Sequence, residues 1–172
     1  MDKLKLIIIL CLLSCILHLP ASALLASSSI TAVVTVQGTF NLMVNTDSFD
    51  FARLAPGQTG GMSRAEGVEV AGASSGGNPW YLKVSAGKPL TSGDNTIPNE
   101  NFTWHGTSEG TGDWSGTGEK SLADPNIAAY MSSAEELDQA KKIINRFNFM
   151  LHVPEDTKPG EYSTTVMFTM TE

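Results

Sequence analysis

The sequence predicts an all-β protein, an antiparallel two-sheet β-sandwich with one short helix, preceded by a signal peptide. Three observations carry that prediction. Apolar and polar residues alternate strictly toward the C-terminus. Seven to nine short apolar runs are separated by glycine-, serine- and threonine-rich turns. A basic start leads into an apolar stretch and then a small-residue cleavage site.

The leader comes first in the chain. Lys3 and Lys5 precede the apolar run Leu6 to Leu19, and Ala21-Ser22-Ala23 places cleavage after Ala23, with a second possible cut after Ala26. The run is shorter than the roughly 20 residues a membrane-spanning helix needs, and no later segment is long and apolar enough to span. The expected organisation is a signal peptide over 1–23 and a single β-sandwich domain over 24–172, secreted or held at the cell surface. Leu12-Leu13-Ser14-Cys15 is similar to a lipoprotein cleavage box and would put a lipid anchor on Cys15. The apolar Ile16-Leu17 that follows disfavours that route.

Cys11 and Cys15 both fall within the leader, so the expected mature chain forms no disulfide and no thiolate metal site. The full chain carries a formal charge of −7. Removing Lys3, Lys5 and Asp2 leaves nine basic and seventeen acidic residues, a charge of −8. An acidic surface argues against a nucleic-acid partner and suits solubility outside the cell.

Strands are then read in order: Ile30 to Val36, Thr39 to Val44, Ser48 to Ala52, Val68 to Ala71, Trp80 to Ala86, Phe102 to Trp104 and Ile127 to Met131. Gly38 and Asn45-Thr46-Asp47 punctuate them. In Phe147 to Val153 the odd positions are apolar, and in Tyr162 to Met170 the even positions carry the large groups. The turn from Pro154 to Gly160 joins these two as an antiparallel pair, adjacent or across two sheets. Such short strands with one buried face suit a sandwich. Ser132 or Ser133 with Glu135 or Glu136 three residues on forms a capping signature, which predicts a helix of up to roughly three turns ending at Lys141-Lys142. His105 to Lys120, polar and glycine-rich apart from Trp114, reads as a mobile or functional loop.

Candidate chemistry is sparse. His105 and His152 are the mature chain's histidines; His152 points outward by strand alternation, and no serine lies in a nucleophile elbow. Carboxylates are numerous without acid/base spacing. Asp94, Asn95, Asn99, Glu100 and Asn101, and separately Glu109 and Asp113, offer oxygens to calcium but lack the spacing of an EF-hand loop. No metal and no cofactor is therefore expected, and no catalytic residue is assigned. Gly60-Gly61 and Gly76-Gly77 read as turns, and Asn101-Phe102-Thr103 matches a glycosylation acceptor. Trp80, Trp104 and Trp114 are the candidate ligand-binding residues, because indole faces stack on the apolar faces of sugar rings. Trp80 shares its strand face with Leu82 and Val84, a pattern that also suits the core.

Two spaced motifs resemble the WxL domains of bacterial cell-surface proteins. Trp80-Tyr81-Leu82 is a literal Trp-x-Leu, preceded by Gly77-Asn78-Pro79 and followed by Val84-Ser85-Ala86. Tyr162, Val166, Phe168 and Met170 are similar to the family's second motif, with Phe168 in place of tryptophan and Met170 in place of leucine. Phe49-Asp50-Phe51 through Pro56-Gly57 is similar to the segment ahead of the first motif. The resemblance implies an immunoglobulin-like, non-catalytic β-sandwich attached to the cell surface, in many members by noncovalent contact with peptidoglycan. On that reading Trp80, Leu82, Phe168 and Met170 are the residues at issue, and Leu82, Phe168 and Met170 are expected to hold the core.

Two function classes follow. One is a module that associates with cell-wall or another extracellular polysaccharide. The other is a fibre or pilin-like subunit that assembles by strand addition, with Ile30 to Val36 as donor. An enzyme is disfavoured by the lack of a nucleophile-base pair and of metal-ligand spacing.

Overall fold

A computed structural model describes residues 40–125, 127–137 and 141–172. The expected signal peptide, Cys11, Cys15 and the Ile30 to Val36 run lie outside the described residues.

Twelve strands form among the described residues: β1 (Phe40–Val44), β2 (Thr59–Gly61), β3 (Val68–Ser74), β4 (Tyr81–Ala86), β5 (Leu90–Ser92), β6 (Asn95–Ile97), β7 (Phe102–Ser108), β8 (Asp113–Trp114), β9 (Lys120–Ser121), β10 (Ala128–Met131), β11 (Ile143–His152) and β12 (Val166–Thr171). One sheet has the order β1-β3-β11-β7-β9, with β2 also on β11; the second has the order β12-β4-β10-β8, and β5 and β6 pair as a separate two-stranded ribbon. All pairings are antiparallel. The protein is a two-sheet antiparallel β-sandwich, as its alternation predicts.

Period-2 burial organises the core. Val68, Val70, Gly72 and Ser74 of β3 and Ile143, Asn145, Phe147, Phe149 and Leu151 of β11 are buried, while the strand residues between them are not. Phe147 is the hub, with ring centroids 5.1 Å from Trp104, 5.3 Å from Trp114 and 5.0 Å from Phe168. Since Phe147 belongs to one sheet and Phe168 and Trp114 to the other, these contacts bind the two layers together. Trp80 and Met170 both reach over Gly72, where an added Cβ would stand 3.3 Å from the indole and 3.2 Å from the sulfur. Strand β3 therefore faces β12 and the start of β4. A bulge between Ala128 and Tyr130 puts Ala129 and Tyr130 inward in succession.

The structure corrects several local expectations. Ser48 to Ala52 is not a strand, because Thr46 and Asp50 each hydrogen-bond backbone groups two residues on and Ala52 takes a φ of +55°. The expected loop from His105 to Lys120 holds the end of β7, all of β8 and the start of β9, with bends and turns between them. His105 thus lies within a strand, facing Asn148 in the ladder. The capping box does form between Ser133 and Glu136, but among the described residues it encloses a single 3-10 turn, Ala134–Glu136. Glu136 is held by Tyr130, which ties the turn to β10. The turn after β11 carries the chain across to the other sheet, and Tyr162 to Thr165 precede β12 as irregular chain apart from a Thr91–Ser163 bridge.

Candidate functional site

A cleft of about 1310 Å³ opens between β1 and β3 of one sheet and β12 of the other, and runs to the end of the sandwich closed by residues 46–54 and 157–165. Its floor is aromatic. Phe49 stacks on Phe149 at 4.9 Å, and Phe51 meets Phe102 edge-on at 5.6 Å. Both are half-buried, and both are placed by the irregular segment that replaces the expected strand: the Ser63 N–H donates to the Asp50 carbonyl at 2.7 Å, and Asp50 Oδ1 accepts from the Ala52 N–H. Across the cleft, the Tyr162 hydroxyl donates to the Lys158 carbonyl at 2.8 Å, and the Thr164 hydroxyl donates to the Lys88 carbonyl. Asp47, Asp50, Arg53, Lys158 and Glu161 give the mouth a polar rim of mixed charge.

This arrangement can hold an extended ligand by apolar contact below and hydrogen bonds above. Among the described residues its lining has no histidine or cysteine, and no group of three His, Cys, Asp or Glu is placed to bind a metal ion. His152 points outward and shares a 2.9 Å hydrogen bond with Thr59 on the outer sheet face. Arg146, also outward, joins Glu69 and Glu109 at 2.8 Å each, and these hydrogen bonds hold its guanidinium above its ordinary pKa.

The three tryptophans do not make an exposed platform. Trp80 and Trp104 are each 1 % exposed, the outcome of strand alternation that turns both inward. Trp104 and Trp114 do meet, at 5.6 Å, but within the core beside Phe147. Trp114 is half-buried and donates its indole N–H to the Gly106 carbonyl at 3.0 Å. Trp80 stands apart beside Tyr130, at 5.4 Å.

The two segments that carry the WxL resemblance are neighbours. Strand β12 pairs with β4 so that Met170 lies opposite Leu82 and Phe168 opposite Val84. Leu82 is fully buried, and Tyr162, Val166, Phe168 and Met170 pack against the core while remaining half-exposed.

Glu136 and Tyr130 form the most perturbed titratable pair, well inside the fold. The Tyr130 hydroxyl donates to both Glu136 oxygens, at 2.7 and 2.6 Å, and accepts from the Gly112 N–H. The Thr111 and Ser133 N–H groups also donate to the carboxylate. Burial raises the Tyr130 pKa, and the Glu136 hydrogen bond raises it further. Burial alone would raise the Glu136 pKa, but the hydrogen bonds from Tyr130, Ser133 and Thr111 outweigh it and leave the carboxyl below its ordinary value. With Glu136 2 % exposed and Tyr130 fully buried, this cluster fastens the glycine-rich chain around Thr111 and Gly112 to the end of β10.

Sequence reasoning missed the cleft. Phe49 and Phe51 were legible as an apolar pair at period 2, but their surroundings of Thr46, Asp47 and Asp50 are turn-forming, and that signal favours irregular chain.

No protein-family model matches this chain, and no curated protein matches it. Among solved structures, a family 123 glycoside hydrolase from Clostridium perfringens, described in terms of glycolipid glycan hydrolysis, is similar to it. The identity is 14 % over 78 % of this chain and 25 % of that chain, with a TM-score of 0.41. This chain thus spans about a quarter of that enzyme's length, and the likeness bears no weight for activity.

Proposed function

We propose that this protein is a non-catalytic exported cell-surface module, WxL-like, that associates with cell-wall or another extracellular polysaccharide through the loop end of the cleft. The observation that carries the reading is the cleft's division into an aromatic floor and a polar rim. Sugar rings present C–H faces to Phe49, Phe51 and Tyr162, while their hydroxyls meet Asp47, Lys158 and Glu161. The reading shifts the ligand contact away from the buried Trp80 and Trp104. The WxL resemblance supports it from the sequence side.

Cosedimentation of residues 24–172 with isolated cell walls, at low and moderate salt, tests the proposal. Asp47, Lys158 and Glu161 contribute to the rim, and Asp47 and Glu161 are exposed, so Asp47→Ala and Glu161→Ala leave stability within about 0.5 kcal/mol. The triple variant with Lys158→Ala is expected to lose wall binding while its unfolding midpoint is kept. Absence of binding by the unmodified chain at both salt levels sinks the idea.

A further inference from the structure

One side of the sandwich is unfinished. Among the described residues β12 has a single neighbour, β4, and β1 a single neighbour, β3. Phe40, Leu42 and Val44 lie opposite Ser74, Gly72 and Val70 in the β1–β3 ladder, so their side chains share the inward face. Yet Phe40 is 44 % and Val44 41 % exposed. The reason is offset: β3 already faces β12 and β4 through Gly72, so β1, one strand spacing of ~4.8 Å farther out, overhangs the edge of the other sheet. All the exposed large apolar side chains among the described residues, Phe40, Met43, Val44 and Met167, belong to these two edge strands. Neither strand contains a charge or a proline, the usual guards of an open edge.

We propose that this side accepts one extended apolar strand, residues Ile30 to Val36 of a second copy of the chain, paired to the open edge of β12 and laid across Phe40, Leu42 and Val44. The inference rests on the exported, non-catalytic reading and not on the polysaccharide.

The overhang selects a single strand over a second sandwich. Edge-to-edge pairing of β12 with another copy's β12 would drive each overhanging β1 into the other. A lone strand beside β12 instead fills the place facing β1. Ile30 to Val36 matches that place in kind: seven residues against six in β12, β-branched at Ile30, Thr31, Val33, Val34, Thr35 and Val36, without charge, proline or glycine. Supplied by its own chain, the run would have to reverse over Gln37-Gly38-Thr39 while crossing the ~10 Å between sheets. It would then lie antiparallel to β1 and hence parallel to β12, the less stable pairing. A second copy can present it antiparallel.

Light scattering on residues 24–172, from micromolar to near-millimolar concentration, is the test. The unmodified chain is expected to gain mass with concentration. Val34→Asp, which puts an unpaired carboxylate into an apolar groove, is expected to weaken association by about tenfold or more and to keep the monomer's unfolding midpoint. A synthetic peptide of residues 29–37 is expected to bind the Val34→Asp chain one to one and to block assembly of the unmodified chain. A chain monomeric throughout, assembly undiminished in Val34→Asp, or a lowered midpoint in a monomeric Val34→Asp, the sign of a strand completing its own sandwich, overturns the proposal. Wall cosedimentation of the Val34→Asp chain reads the polysaccharide separately, so either idea can fail alone.

Discussion

At the scale of residues, Glu136 shows how a buried carboxylate can be made an asset. Its oxygens collect hydrogen bonds from Tyr130, Thr111 and Ser133, and its pKa is lowered despite burial. The folded state therefore binds that proton more weakly than the unfolded chain. The stability this group contributes is complete above its ordinary value of 4.5 and is lost as pH falls through the lowered folded value. Tyr130, raised when folded, acts at the other end: its contribution holds below its ordinary value and falls as pH rises beyond it. Tyr130→Phe leaves the carboxylate and the Gly112 N–H each short of a partner, and is expected to cost about 1–3 kcal/mol in denaturant unfolding. In Glu136→Gln the same experiment repeated between pH 3 and 6 is expected to lose the acid dependence that belongs to this group. Residue type was a poor guide to role here. Glu136 was legible as half of a capping box, but its bond to Tyr130 depends on the β10 bulge, which turns Tyr130 inward and has no local signature. Trp104 is turned inward by a feature just as hard to see locally: β7 continues past it to Ser108, so His105 takes the next place in a strand and not the start of a loop.

Most elements were legible in proportion to their length; β7 is the exception, seven residues long but legible only over Phe102 to Trp104, because His105 to Ser108 carry no apolar alternation. Strands β3, β4, β11 and β12 announce themselves because six or more residues give alternation room to show. The two- and three-residue strands β2, β8 and β9 have no period to read, and exist because longer neighbours offer them hydrogen bonds. The β5–β6 hairpin was within reach of sequence: Gly93-Asp94 separates Leu90-Thr91-Ser92 from Asn95-Thr96-Ile97, and Gly93 takes the positive φ of +56° that such a turn demands. Packing ranks the elements too. Phe147, fully buried and touching both sheets, should cost about 3–5 kcal/mol as Phe147→Ala. Phe168→Ala, on the half-exposed edge strand, should cost clearly less in the monomer. Parallel urea titrations compare them, and equal losses would mean that β12 is as enclosed as β11.

At the scale of the whole molecule, the fold class was readable because it rests on the summed pattern of many strands, whereas the cleft was not, because it depends on which strands face one another. The offset of β1 from β12 is set by sheet order, and sheet order joins segments more than a hundred residues apart in the chain, such as Phe168 and Phe49 at the cleft. The same offset makes the interior reachable from one side, so the functional proposals converge on one region.

The ladders also fix how the domain would answer a pull. Phe40 enters beside Ser74, and Glu172 accepts a hydrogen bond from Asn78 at 3.2 Å, close to Gly76. Both ends of the described span thus leave from the same pole. Tension between them would not load all the β1–β3 and β12–β4 bonds together, as shear does, but would open them singly from that pole, like a zip. In a force-extension experiment the domain is expected to yield gradually and at low load, with β1 and β12 leaving before the Phe147-centred layers separate. A strand clamped across both edges would convert that peel into a grip, so that assembly and mechanical strength would rise together.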